Sequence, residues 1–139
     1  MRIFLDANIL FSAAKSAGAV RQLLKTLVSR KHVLCADEYV VVEARRNLSA
    51  KASAESLRAL DELLVRIEVS ATGMGGADKN MATWLAEKDR PVLGAAMHLH
   101  CDALVTGDVT HFGAGFGKSF GGVVIYSPRL LAEALRLWD

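Results

Sequence analysis

Short, mostly apolar runs alternate along this chain with longer segments in which apolar residues recur at the spacing of a helix. The short runs are predicted strands, and they occupy residues 3–5, 32–36, 66–69, 103–106 and 123–126. Helical spacing or a helix-opening sequence occurs over residues 19–28, 38–48, 54–64, 79–88, 90–100 and from 128 toward 138. Strands that are apolar throughout are typical of parallel sheets with both faces covered. We therefore predict an α/β fold with a central parallel sheet of about five strands, flanked by helices on both faces.

The length of the chain bounds its organisation. Its 139 residues fit one domain that is long enough to bury a core. We find neither an internal repeat nor a linker that would divide the chain. The clearest flexible break is GMGG at residues 73–76, and residues 107–122 are predicted to form a glycine-rich loop. A single domain over residues 1–139 is the resulting prediction.

Charge and cysteine content exclude some classes of protein. A carboxylate at Asp6 interrupts the first apolar run, which argues against a signal peptide, and no apolar stretch is long enough to cross a bilayer. Cys35 and Cys101 match no Cys-x-x-Cys spacing, so we predict buried, reduced thiols in a cytoplasmic protein. The net charge of +2 is too small to indicate nucleic-acid binding by itself. A basic excess in residues 1–66 would suit a polyanionic substrate, and ordinary solvated helix faces explain it equally well.

Three acidic residues occupy positions from which they would meet at one edge of the sheet, and a fourth lies on a helix. Asp6 ends the first predicted strand, Asp108 follows the strand at residues 103–106, and Asp89 opens the helix that leads into that strand. Glu43 lies on the helix after the second strand. Sites in open α/β sheets form outside the carboxyl ends of the strands. Each acid alone is explained as a cap or turn residue, whereas four together would repel one another without a cation between them. Mg²⁺ and Mn²⁺ are the ions that such oxygen ligands hold.

The same residues resemble a known family, the PIN domains. FLDANIL at residues 4–10 is similar to their first strand, and VEARRNL at residues 42–48 is similar to their glutamate-bearing helix. The C-terminal half resembles theirs through DRPVLGAA at residues 89–96, DALVTGD at residues 102–108 and HF at residues 111–112. The order and spacing of these segments agree with the family over nearly the whole chain.

The resemblance implies a metal-dependent nuclease built as a single PIN-like domain. It implies that Mg²⁺ or Mn²⁺ is bound by the four acids, Asp6, Glu43, Asp89 and Asp108. It assigns Asn8 and Thr106 to polar positions that support the cluster. Many small PIN domains are toxins of toxin–antitoxin pairs, so the resemblance also implies an RNA substrate, a cognate antitoxin and a homodimer.

Several alternatives stay open. The chain would also fit a PIN nuclease of RNA processing, or a non-catalytic module that binds RNA or a protein. A phosphatase in which Asp6 is phosphorylated commonly has a second aspartate two residues later, where this chain has Asn8. Arg45 and Arg46 suit phosphate contacts and suit an exposed helix face equally. Two tryptophans are expected to pack or to lie in a dimer interface, Trp84 and Trp138.

Overall fold

The structure is a computed structural model that describes residues 1–71 and 83–137. The strands in this part of the chain are β1 (Arg2–Leu5), β2 (Val33–Asp37), β3 (Ile67–Ser70), β4 (Ala103–Val105), β5 (Ser119–Phe120) and β6 (Val123–Tyr126). Its helices are α1 (Ala7–Lys15), α2 (Ala19–Ser29), α3 (Glu38–Lys51), α4 (Ala54–Leu64), α5 (Arg90–His98), α6 (Val109–Phe112) and α7 (Pro128–Ala134).

The strands form one sheet in the order β3-β2-β1-β4-β6-β5. The five predicted strands are parallel, and the two-residue strand β5 is added antiparallel to β6 at the edge. Successive residues of a strand point to opposite faces, and every residue of Ile3–Leu5 and Ala103–Val105 is fully buried. Both faces of the sheet centre are therefore covered, and the predicted α/β class is confirmed.

The register of the central strands brings the ends of β1 and β4 together. Leu5 pairs with Val105 in the parallel ladder. The backbone N–H of Asp6 donates to the carbonyl of Val105 at 3.0 Å, which extends the pairing by one residue. The side chains of Asp6 and Thr106 consequently leave the sheet side by side, at its carboxyl edge.

Aspartates begin two of the helices that follow this edge. Asp37 Oδ1 accepts a hydrogen bond from the N–H of Val40 at 3.1 Å and so caps α3. Asp6 caps α1 in the same way, with Oδ1 accepting from the N–H of Ala7 at 2.7 Å. Helix α1 was not predicted from the sequence, although its buried residues have helical spacing: Ile9, Leu10, Ala13 and Ala14. The apolar run of β1 passes into that of α1 with only Asp6 and Asn8 as interruptions, which hides the boundary.

Two other local predictions were wrong. A helix was predicted over residues 79–88, of which residues 79–82 lie outside the described residues. Residues 83–88 do not form an α-helix: they contain a turn, which is followed by a 3-10 turn at Glu87–Asp89. Pro91 favours a helix start at Arg90, so the preceding residues form a separate turn. The loop predicted over residues 107–122 contains α6, a 3-10 turn at Gly113–Gly115 and β5.

Glycines in that segment serve packing and the turn into β6. A Cβ on Gly115 would lie 2.6 Å from Cη2 of Trp84, so only glycine lets the ring approach. Gly121 and Gly122 have φ of 57° and 85°, in the left-handed region. The ring centroids of Trp84 and Phe120 are 5.0 Å apart. The tryptophan thus packs on residues 107–122, the segment whose sequence predicts a loop.

Three further features bear on the sequence predictions. Cys35 and Cys101 are both buried and free. In the part of the chain that the structure describes, the helices are too short or too polar to cross a membrane. The predicted break at residues 73–76 and Trp138 lie outside the described residues.

Candidate metal centre

A cleft of about 310 Å³ opens at the carboxyl edge of β1 and β4. All four acids predicted from the sequence line it: Asp6, Glu43, Asp89 and Asp108. They come from four different places in the chain, namely the ends of two strands, helix α3 and the turn before α5. The other polar residues along its walls are Asn8, Tyr39, Asn47, Lys51, Lys88 and His111. The fold therefore gathers residues that are far apart in the sequence into one acidic cleft.

Asp6 is the most buried of the four acids, with 6% of its surface exposed. Its Oδ2 accepts hydrogen bonds from Thr106 Oγ1 at 2.8 Å and from Asn8 Nδ2 at 3.3 Å. Burial raises the pKa of Asp6, and the charges of Glu43 and Asp108 raise it further, while its hydrogen bonds partly offset this. A positive charge in the cleft would favour the ionised carboxylate.

Thr106 and Asn8 join the two strand ends. Thr106 is fully buried, and its hydroxyl donates to Asp6 while accepting from the N–H of Asp108 at 3.1 Å. Asn8 donates to Asp6 and to Thr106, and its Oδ1 accepts from the N–H of Gly107 at 2.8 Å. These contacts orient the carboxylate of Asp6 relative to the backbone that carries Asp108.

His111 joins Asp89 and Asp108 in a three-residue cluster. Its Nδ1 lies 2.9 Å from Asp108 Oδ2 and 3.1 Å from Asp89 Oδ2. The backbone N–H of His111 donates to Asp108 Oδ1 at 3.0 Å, which caps α6. One ligand atom from each of the three lies within 4.8 Å of the others. His111 was not among the site residues predicted from the sequence, although residues three apart on a helix share a face with each other.

The two arginines proposed for RNA contacts are placed differently from the acids. Arg45 Nη2 lies 2.9 Å from Asp61 Oδ1, in an ion pair that joins α3 to α4. Arg46 is exposed beside Glu43, at a neighbouring shallow cavity. The described residues that line the acidic cleft include neither of them, and its cationic side chains are Lys51 and Lys88. The lysines carried no motif that would have singled them out.

The donors in the cleft fit a divalent cation. Carboxylates suit Mg²⁺ and Mn²⁺, and imidazole suits transition metals. Asp89 Oδ2 and His111 Nδ1 are buried, and within the described residues neither has a partner in hydrogen-bond alignment. A cation near them would satisfy both atoms. Fold and cleft together define an α/β protein with a carboxylate-lined candidate metal centre.

The chain belongs to the PIN-domain family, whose model matches residues 2–110. This match confirms the resemblance inferred from the sequence. Comparison with curated proteins finds no match.

Solved structures share the fold at low sequence identity. One is a chain of VapBC2 from Rickettsia felis, whose structure was solved with a bound DNA fragment from the VapBC2 promoter. It is 17% identical to this chain with a TM-score of 0.66, and the match covers 91% of this chain and 98% of that one. VapBC-1 from nontypeable Haemophilus influenzae is 20% identical with a TM-score of 0.58, over 81% and 91%. VapC20 from Mycobacterium tuberculosis, a Sarcin-Ricin loop cleaving toxin, is 16% identical with a TM-score of 0.55, over 85% and 98%. At these identities the likeness establishes the fold alone.

Proposed function

We propose that this chain is a metal-dependent endoribonuclease that hydrolyses RNA phosphodiester bonds. Asp6, Glu43, Asp89 and Asp108 hold Mg²⁺ or Mn²⁺, and residues 1–139 act as one PIN-like domain. The observation that carries the proposal is the convergence of these four carboxylates in one cleft of a PIN-domain chain.

The protein's own groups divide into those that hold the cation and those that hold the substrate. A bound cation would supply an activated water and neutralise charge on the phosphodiester. Thr106 and Asn8 fix the orientation of Asp6 through the hydrogen bonds described above. Lys51 and Lys88 line the same cleft, where they are positioned to attract the phosphates on either side of the cleaved bond.

We further propose that the chain is the toxin of a toxin–antitoxin pair, acting in the cytoplasm as a homodimer. Support comes from the similar structures, two of which are VapBC structures and one a toxin that cleaves the sarcin-ricin loop. Two buried free thiols accord with a reducing compartment. Induced expression in a bacterial host should arrest growth for the native chain and not for Asp6→Asn. Equal arrest by both, or by neither, would contradict the toxin role.

RNA cleavage tests the enzymatic proposal directly. Purified protein is incubated with end-labelled structured RNA and Mn²⁺ or Mg²⁺, with a chelator arm. Asp6→Asn should lower the cleavage rate at least about 100-fold, since loss of even an outer-shell partner of a metal ligand costs 10–100-fold. Glu133→Gln is the matched control, because Glu133 lies on α7 and pairs only with Arg129 among the ion pairs of the described residues. Cleavage that survives the chelator, or that is unchanged in Asp6→Asn, would overturn the assignment.

A further inference from the structure

We propose that His111 is itself a ligand of the cation, so that the centre combines carboxylate oxygens with one imidazole nitrogen and favours Mn²⁺ over Mg²⁺. This inference rests on the proposed function, because it concerns the same cleft. It assigns a metal-binding role to a residue outside the four acids.

The distances from His111 to the two carboxylates fit a shared ion. In an octahedral site with bonds of about 2.1 Å, neighbouring ligand atoms are about 3.0 Å apart. Nδ1 of His111 lies 2.9 Å from Asp108 Oδ2 and 3.1 Å from Asp89 Oδ2. Both separations are close to the edge of such an octahedron. The same distances also suit hydrogen bonds, so the alignment of the atoms decides between the two.

That alignment favours coordination. Within the described residues, Nδ1 of His111 and Oδ2 of Asp89 are buried and lack a partner with hydrogen-bond geometry, despite their short separation. A buried polar atom left without a hydrogen bond destabilises the folded protein. An ion that accepts the lone pairs of both atoms removes this cost, and the nitrogen then needs no proton at Nδ1.

The imidazole is held in place by the fold rather than by the acids alone. His111 lies on α6, whose first turn is capped by Asp108 Oδ1. The next residue, Phe112, is buried, and the ring of Trp84 meets it edge-on with centroids 6.5 Å apart. Because α6 is anchored on both sides, the ring is set beside the two carboxylates before any ion arrives. Preset ligands of this kind favour binding.

A nitrogen ligand has a consequence for metal choice. Mg²⁺ is bound almost entirely through oxygen, whereas imidazole is a common ligand of transition metals. Replacing His111 with glutamine should therefore weaken Mn²⁺ binding more than Mg²⁺ binding. A residue that merely oriented the two aspartates would affect both ions alike.

Pulsed electron paramagnetic resonance of Mn²⁺ bound to the RNA-free protein tests the assignment. The native protein should show the nitrogen coupling of a coordinated imidazole, and incorporation of ¹⁵N-histidine should shift that coupling without any substitution. In His111→Gln the coupling should disappear, and Mn²⁺ affinity should fall at least about tenfold, with Mg²⁺ affinity changing less. His98→Gln is the control, because His98 is exposed at the end of α5.

The outcomes separate this inference from the proposed function. Bound Mn²⁺ without histidine coupling in the native protein, or coupling that persists in His111→Gln, would overturn the role of His111. So would an equal loss of Mn²⁺ and Mg²⁺ affinity. RNA cleavage that depends on Asp6 would still stand in those cases. Conversely, histidine coupling in a protein that cleaves no RNA would support the ligand and contradict the nuclease.

Discussion

Two buried aspartates end neighbouring parallel strands at the same edge of the sheet, and they differ in what surrounds them. Asp6 follows β1 and Asp37 ends β2, and each has 6% of its surface exposed. Each caps a helix with its side chain, and burial raises the pKa of both. Asp6, however, lies with Glu43 and Asp108 in the acidic cleft. The acid that raises the pKa of Asp37 is its chain neighbour Glu38.

The difference shows what turns a helix cap into a candidate metal ligand. β1 lies next to β4, whose end supplies Thr106 and then Asp108. β2 lies between β1 and β3 in the sheet. At its end, Asp37 pairs in register with Ser70 of β3. Capping needs one strand–helix junction, whereas a cation site needs acids from several junctions that the sheet order makes adjacent.

Metal-linked stability should separate the two aspartates most strongly. Mn²⁺ at 100 times its dissociation constant should raise the free energy of unfolding of the native chain by about 2.7 kcal/mol. This gain should be lost in Asp6→Asn and kept in Asp37→Asn, because only Asp6 belongs to the acidic cleft. Urea denaturation with Mn²⁺ or with chelator measures it. An equal gain in both variants would remove the functional distinction between the two carboxylates.

The sequence predicted the parts of this comparison that depend on order along the chain. Apolar runs alternating with helices predicted the parallel sheet, and its carboxyl edge predicted that Asp6, Asp89 and Asp108 would meet. The order of strands and helices did not single out His111, because its position depends on α6, a single turn within a glycine-rich segment. That turn is fixed by contacts with Trp84, more than twenty residues away in sequence, and such packing leaves no local pattern.

Loss of the hydrogen bond that Thr106 donates to Asp6 should give the next largest effect. Thr106→Val keeps the shape of the side chain but removes the donor to Asp6 Oδ2 and the acceptor for the N–H of Asp108. Mn²⁺ affinity should fall about 10–100-fold, the usual cost of losing an outer-shell partner. Thr26→Val is the matched control, since Thr26 Oγ1 donates to the carbonyl of Gln22 on α2. Calorimetric titration that finds both variants equal to the native chain would show that Thr106 plays no part in metal binding.

The capping role of Asp37 should appear in stability alone. Asp37→Ala removes the acceptor for the N–H of Val40, and loss of such a cap costs about 1 kcal/mol of unfolding free energy. Asp37→Asn retains a capping oxygen and should lose much less. Mn²⁺ affinity should be unchanged in both variants. A drop in affinity with Asp37→Ala would mean that the start of α3 is coupled to Glu43 and that the two strand–helix junctions are not independent.

The smallest effect is the pH dependence that burial gives to Asp37. Because the folded protein raises the pKa of this carboxyl, it binds the proton more tightly than the unfolded chain does. The contribution of Asp37 to stability is therefore full below its unfolded pKa of about 3.9 and falls as the pH rises through the folded value. Asp37→Asn does not titrate, so its stability relative to the native chain should increase over that window and level off above it. Urea denaturation of metal-free protein from acid to neutral pH measures this difference in the free energy of unfolding. Asp6 is present in both proteins, so its titration cancels in the difference. A difference that shrinks as the pH rises would mean that the folded protein stabilises the charged form of Asp37. The pKa of Asp37 would then be lowered by folding, whereas that of Asp6 is raised.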